Sequence, residues 1–143
     1  MAHLLSPDDE EFRAQFESCE FPAADFHHRE HLRLAYIYLV DNNNDTDRAS
    51  QLMREAIHGF LTHLGVGLAK YHETITRAWV LAVRHFMEAT PESDSAASFI
   101  EQNPIMLDTK IMMTHYSAEL LFSDEARAEF VQPNLDPIPR YDE

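Results

Sequence analysis

Nine histidines stand in a chain of 143 residues, and their placement matters more than their number. In Phe26-His27-His28-Arg29-Glu30-His31-Leu32, helical spacing puts His28 and His31 one turn apart. They share a side with Ala35 and Tyr38, while Arg29, Glu30 and Arg33 mark the opposite side and His27 lies nearer the edge. Two imidazoles at i, i+3 on an inward stripe can point to one spot in a bundle interior, and neutral imidazole is the commonest nitrogen ligand for zinc or iron. Two histidines satisfied by backbone or carboxylates are the plain counterpart of that reading. Further along, His72, Thr76, Trp79 and Val83 share one line, with Glu73, Arg77, Arg84 and Glu88 on the polar side. Near a helix N-terminus the dipole favours neutral imidazole, which suits a ligand or a general base. His72 as a cap on a buried helix end, with Trp79 as plain core, is the counterpart there. His115 lines up with Ile111, Ala118 and Phe122 as a third inward candidate. His3, His58, His63 and His85 are expected at the surface, His58 on the charged face of its helix.

His28, His31 and His72 are therefore the expected metal ligands around one enclosed pocket. Three nitrogen ligands on a single divalent zinc or iron leave an open position, the catalytic rather than the structural arrangement. His72, Glu73 and Thr76 form the expected catalytic set, and Tyr38, Trp79 and His115 are expected to line the substrate. Without a metal, His72 oriented by a carboxylate would act as an acid–base group in hydrolysis, elimination or isomerisation. The third reading is a non-catalytic ligand-binding or interaction module whose histidines are structural. Buried polar clusters cost stability unless fully hydrogen-bonded, which favours a small-molecule site over ornament.

Two familiar patterns carry no weight. His27-His28-Arg29-Glu30-His31 reads as H-x-x-E-H, but that protease signature needs a distant Glu ligand, and Glu30 turns toward solvent on the wheel. His72-Glu73-Thr74-Ile75-Thr76 begins like H-E-x-x-H and has Thr76 where the second ligand belongs. No G-x-S-x-G, Walker or dinucleotide fingerprint is present. Cys19 reads as a small core residue.

The elements that position these residues are helical. Ser6-Pro7-Asp8-Asp9 supplies an N-cap, a Pro at the first helical position and an acid three residues after the cap, and Phe12, Phe16 and Cys19 follow on one face. Asp25 is the expected cap of a second helix running to about Val40. Thr46 is the expected cap of a third, whose Ala49, Leu52, Met53, Ala56, Ile57, Phe60, Leu61 and Leu64 keep i, i+3, i+4 spacing until Gly65-Val66-Gly67 stops it. A fourth runs from about Tyr71 to Ala89, with Ile75, Trp79, Ala82, Val83 and Phe86 inward. Thr90–Asp94 is a turn, and two or three shorter helices reach Val131. Residues 132–143, with Pro133, Pro137 and Pro139, cannot be helical and are expected to lie extended across the bundle. The fold class is all-α: residues 1–143 as a single compact bundle of about five to seven helices with an extended Pro-rich C-terminal tail.

Charge narrows the partners. With 11 Lys and Arg against 25 Asp and Glu the formal charge is -14, and protonating every His would still leave it negative. No basic cluster exists to displace phosphate counterions, so nucleic acid and anionic membrane surfaces are excluded as expected partners. One cysteine rules out an internal disulfide framework. No apolar run nears a membrane span, and Met1–Ser6 lacks signal-peptide anatomy. A cytoplasmic protein with a small-molecule ligand is expected, and a homo-oligomer is compatible with this composition.

The quoted segments also resemble a family of small, all-helical bacterial proteins with the pattern F-x-H-x-x-H-L followed by Y-H-E-T-x-T. The resemblance runs through Tyr116-Ser117, Ser123-Asp124-Glu125-Ala126-Arg127 and Pro133-Asn134-Leu135-Asp136-Pro137-Ile138-Pro139, so it spans nearly the whole chain. It supplies positions rather than a mechanism, and marks His28, His31, His72, Glu73, Thr76, Tyr116, Ser117 and Arg127. Tyr116, Ser117 and Arg127 thereby join the expected substrate contacts.

Overall fold

The computed structural model describes residues 2–68 and 71–141. It is 66% helical. Helix α1 (Pro7–Glu17) starts as its sequence dictates: the Ser6 hydroxyl accepts from the Asp9 N–H, and the Asp9 carboxylate accepts from the Ser6 N–H. It ends at Glu17, short of the Cys19 expected on its apolar face, because the chain turns at Cys19, whose φ of 65° is left-handed. Cys19 is consequently only half-buried, off the face of Phe12 and Phe16.

Helix α2 (His28–Asp41) is not capped by Asp25, which lies in a short 3-10 turn (Ala23–Asp25). His27 holds the N-cap position, and its backbone N–H donates to the Glu30 carboxylate at 3.0 Å. Thr46 likewise does not cap α3 (Thr46–Leu64). Asp45 does so by accepting from the Arg48 N–H, and Thr46 is the buried first helical residue. Gly65 ends α3 in the left-handed region, φ 75°, a conformation glycine takes without penalty.

Helix α4 (Glu73–Ala89) begins two residues later than the periodicity suggests, because His72 is its N-cap. It packs against both α2 and α3, and from Ala78 to Val83 every residue is buried. Thr90–Asp94 carries a two-residue strand, β2 (Glu92–Ser93), paired in parallel with β1 (Ala2–His3). His3 is consequently not a loose surface side chain. Its ring nitrogens meet the Ser93 hydroxyl at 2.8 Å and the Met87 carbonyl at 2.9 Å.

Helix α5 (Ala96–Gln102), two 3-10 turns (Pro104–Leu107 and Thr109–Thr114), α6 (Ala118–Leu121) and α7 (Asp124–Ala128) complete the order. The apolar side chains form one cluster running from Phe12 to Ile138. Phe60 of α3 stacks on Phe16 of α1 at 4.5 Å between ring centres. The described part of the tail is non-helical and packed down, with Ile138 buried and backbone bonds from Leu135 and Asp136 to His115 and Thr114. Among the described residues no helix is long and apolar enough to cross a membrane.

Candidate functional site

The expected site residues divide among several places in the fold. His28, in the first turn of α2, and Trp79, on α4, meet edge to face at 4.6 Å. Both belong to the wall of a pocket of about 460 Å³, with Ile75, Thr109, Lys110, Met112, Met113, Leu121 and Phe122. Burial lowers the pKa of His28, against the raising effect of its hydrogen bond to the Met106 carbonyl. Its Nε2–H donates to that carbonyl at 2.9 Å, so the neutral ring keeps Nδ1 unprotonated as an acceptor.

His31 lies one turn on and does not line this pocket. Its Nε2 is buried and has no hydrogen-bond partner among the described residues. Burial, with the neighbouring charge of His28, pulls its pKa down to about 4.

His72 is fully engaged with backbone. Its Nδ1 accepts from the Ile75 N–H at 3.1 Å and its Nε2–H donates to the Leu121 carbonyl at 2.7 Å. Burial lowers its pKa, and the charge of Arg127 adds to that against the Leu121 bond. A ring using both nitrogens this way has no lone pair to offer a metal. Among the described residues no three His, Cys, Asp or Glu side chains are grouped to hold a metal ion. The three imidazoles thus do not form the common ligand set that helical spacing suggests.

Glu73 departs from the polar face assigned to it. It is 7% exposed and is gripped by Arg54 of α3, Nε to Oε1 at 3.0 Å and Nη2 to Oε2 at 2.6 Å. The Tyr71 hydroxyl donates to Oε1 at 2.6 Å. Burial pushes the Glu73 carboxyl up, but the bonds from Arg54 and Tyr71 and the charges of Arg54 and Arg77 outweigh it and hold it below the ordinary range. Tyr71 is shifted up by burial and by donating to Glu73, so it stays protonated. Thr76 is buried, and its hydroxyl meets the Tyr71 phenol. Arg54, His58, Tyr71, Glu73 and Arg77, but not Thr76, border a second cavity, with Arg127 of α7 also in its wall.

The remaining expectations land elsewhere. Tyr38 is buried and donates to Glu17 of α1, lining neither cavity. Tyr116 is fully buried, its hydroxyl on the Val131 carbonyl at 2.7 Å, and burial pushes its pKa up to about 12. Ser117 caps α6 and bonds Asn134 of the tail. The His115 ring bonds the Asp136 carbonyl at 2.7 Å. Tyr116, Ser117 and His115 therefore fasten the tail rather than line the pockets.

Sequence reasoning missed Arg54, His58 and Arg77. Helical spacing puts Arg77 on the polar side of its helix, and Arg54 carries no local signal because its partner is 19 residues away, beyond any helical spacing. His58 is half-buried rather than on the surface, packed at right angles to Tyr71 with 4.3 Å between ring centres. The aromatic Tyr71 just before His72 was the available signal.

The chain matches no protein-family model, no curated protein and no solved structure.

Proposed function

We propose that the chain binds a small, largely apolar molecule in the His28–Trp79 pocket without a metal. The observation that supports this most is the neutral His28 ring in the wall of a mainly apolar cavity. Ligand sites of small molecules are typically apolar concavities with a few polar groups that fix orientation. Here Ile75, Trp79, Met112, Met113, Leu121 and Phe122 give the apolar surface. The two methionines adapt to irregular shapes, and the indole offers a face for a ring. His28 supplies an acceptor for a ligand hydroxyl or amine, and Lys110 and Thr109 complete the polar set. The acid–base chemistry such a pocket could support is proton acceptance by His28, because His72 is tied to backbone on both nitrogens.

Trp79 is the only tryptophan, so its emission reports on this cavity alone. Titration with benzyl alcohol, excited where only indole absorbs, should give a saturable change in intensity or wavelength. Ile75→Phe fills the cavity and should abolish that change, and His28→Leu should remove any preference for benzyl alcohol over toluene. A response that never saturates, or one that survives Ile75→Phe unaltered, would overturn the reading.

A further inference from the structure

A second cavity, of about 670 Å³, lies between α3, the start of α4 and α7. Arg54, Arg77 and Arg127 all border it. That gathers three of the chain's 11 cationic side chains around one opening, in a protein with 25 acids. Glu73, Asp124 and Glu129 are the acids in the same wall.

The arginines are held rather than loose. Arg54 spends two of its five N–H donors on the Glu73 fork, and the Tyr71 hydroxyl braces that carboxylate from another side. Its guanidinium is thus fixed in plane with donors left over. Arg77 bonds Asp47 and lies over the Phe130 ring, 5.2 Å from its centre. The Arg77 Nε is buried and has no hydrogen-bond partner among the described residues. Arg127 stands in the last turn of α7, close enough for its charge to bear on His72. Leu68, Ala128 and Phe130 add apolar surface between these charges.

A planar guanidinium fork matches carboxylate and phosphate oxygens in pairs. Donors already ordered by their own protein partners lose little further entropy on binding. We propose that this cavity is an oxyanion site, which takes a small organic phosphate or carboxylate with a compact apolar body. The head group meets Arg54, Arg77 and Arg127, and the body lies against Leu68, Ala128 and Phe130. The site is distinct from the His28–Trp79 pocket. His72 stands between the two, bonded to Leu121 in the wall of one and next in sequence to Glu73 in the wall of the other.

The full chain, titrated by calorimetry and amide chemical shifts with inorganic phosphate, phenyl phosphate and benzoate, tests this. Phenyl phosphate should bind saturably and roughly tenfold more tightly than inorganic phosphate, the gain expected for burying part of a ring. The comparison with benzoate identifies the preferred head group. Arg77→Gln and Arg127→Gln should each weaken the tighter ligand by about tenfold or more, while Arg84→Gln, on the same helix but paired with Glu88, should not. If Arg77→Gln fails to fold, Arg127→Gln on the exposed turn of α7 decides alone. No saturation with any of the three probes, equal binding in wild type and Arg127→Gln, or shifts clustered away from Arg54, Tyr71 and Arg77 would overturn the proposal. Equal affinity for phosphate and phenyl phosphate would overturn the apolar-body part.

Discussion

Arg54 and Glu73 join α3 to the first turn of α4 through a two-point fork, and the carboxylate is the more enclosed partner, at 10% side-chain exposure against 39% for the arginine. Removing the arginine strands a buried charge, whereas removing the acid strands a group that can reach water. Arg54→Met should therefore destabilise by about 1–3 kcal/mol at neutral pH, less than a fully buried pair would cost because solvent screens the arginine. Glu73→Gln should cost less, since the amide oxygen still accepts from Arg54 and Tyr71. Glu73 titrates below its ordinary value when folded, so its contribution is present above the unfolded pKa and is lost as pH falls through the folded one. The Arg54→Met penalty should accordingly be smaller at about pH 3, below the ordinary carboxyl value, than at pH 7. Urea melts at the two pH values measure it, and an equal penalty at both would contradict the assignment.

His72 acts on the backbone at both ends of its ring, so its replacement should read as a structural loss. His72→Ala leaves the Ile75 N–H uncapped and the Leu121 carbonyl without its donor, a cost of about 1–3 kcal/mol. His72→Asn restores a good N-cap acceptor without the reach to Leu121, and should recover about half of that. Thermal melts of the three proteins order them wild type, Asn, Ala. Coincident curves for Asn and Ala would mean that the cap contributes nothing.

The legible parts of this molecule were those governed by local spacing. Ser6 and Asp9 sit three apart and cap α1 reciprocally, and the apolar run of α3 buries Ala49, Met53, Ile57 and Phe60 on one side. Local spacing also placed His28 and Trp79 inward, and they meet. It failed where tertiary partners decide. Glu73 shares a helical line with exposed Glu88, yet a cation from another helix draws it inside. Inward direction likewise does not fix depth or rotation between helices, so His28, His31 and His72 could each face the interior without facing one another. Caps were misplaced by one or two residues at Asp25 and Thr46 because Glu30 and Asp45 offered competing acceptors.

His31 should make the protein acid-sensitive. Its ring is neutral in the fold, with a pKa of about 4, against 6.5 for a free imidazole. Between those values the unfolded chain binds the proton and the folded chain does not, so stability rises with pH across that window. The loss from this residue between pH 7 and pH 4 is at most about 3 kcal/mol. His28 and His72 are lowered as well and act in the same direction. His31→Leu also removes the buried, unpartnered Nε2, so at pH 7 it should be neutral or stabilising. Its advantage over wild type should then grow as pH falls below about 6.5. Parallel stability curves for the two proteins would show that His31 does not titrate in this way.

His58 provides the sharpest contrast between its sequence setting and its surroundings. Placed among charged neighbours on α3, it should tolerate replacement within the roughly 0.5 kcal/mol typical of surface sites. In the fold its ring instead stands at 84° to Tyr71 with 4.3 Å between centres, and its Nε2 is buried without a hydrogen-bond partner among the described residues. Edge-to-face pairs contribute about 0.5–1.5 kcal/mol beyond the area they bury. His58→Ala should therefore cost about 1–2 kcal/mol, more than a surface site allows. His58→Phe keeps the edge contact and removes the unsatisfied nitrogen, so it should hold or exceed wild-type stability. A double-mutant cycle with Tyr71→Leu separates the ring pair from general packing, because coupling appears only if the two rings interact directly. Because Tyr71 also braces Glu73, His58→Ala should further loosen the Arg54 guanidinium and weaken phenyl phosphate binding, whereas His58→Phe should leave it intact. If His58→Ala changes neither stability nor the cycle's coupling term, His58 belongs to the surface after all and the aromatic wall of the second cavity is wrongly assigned.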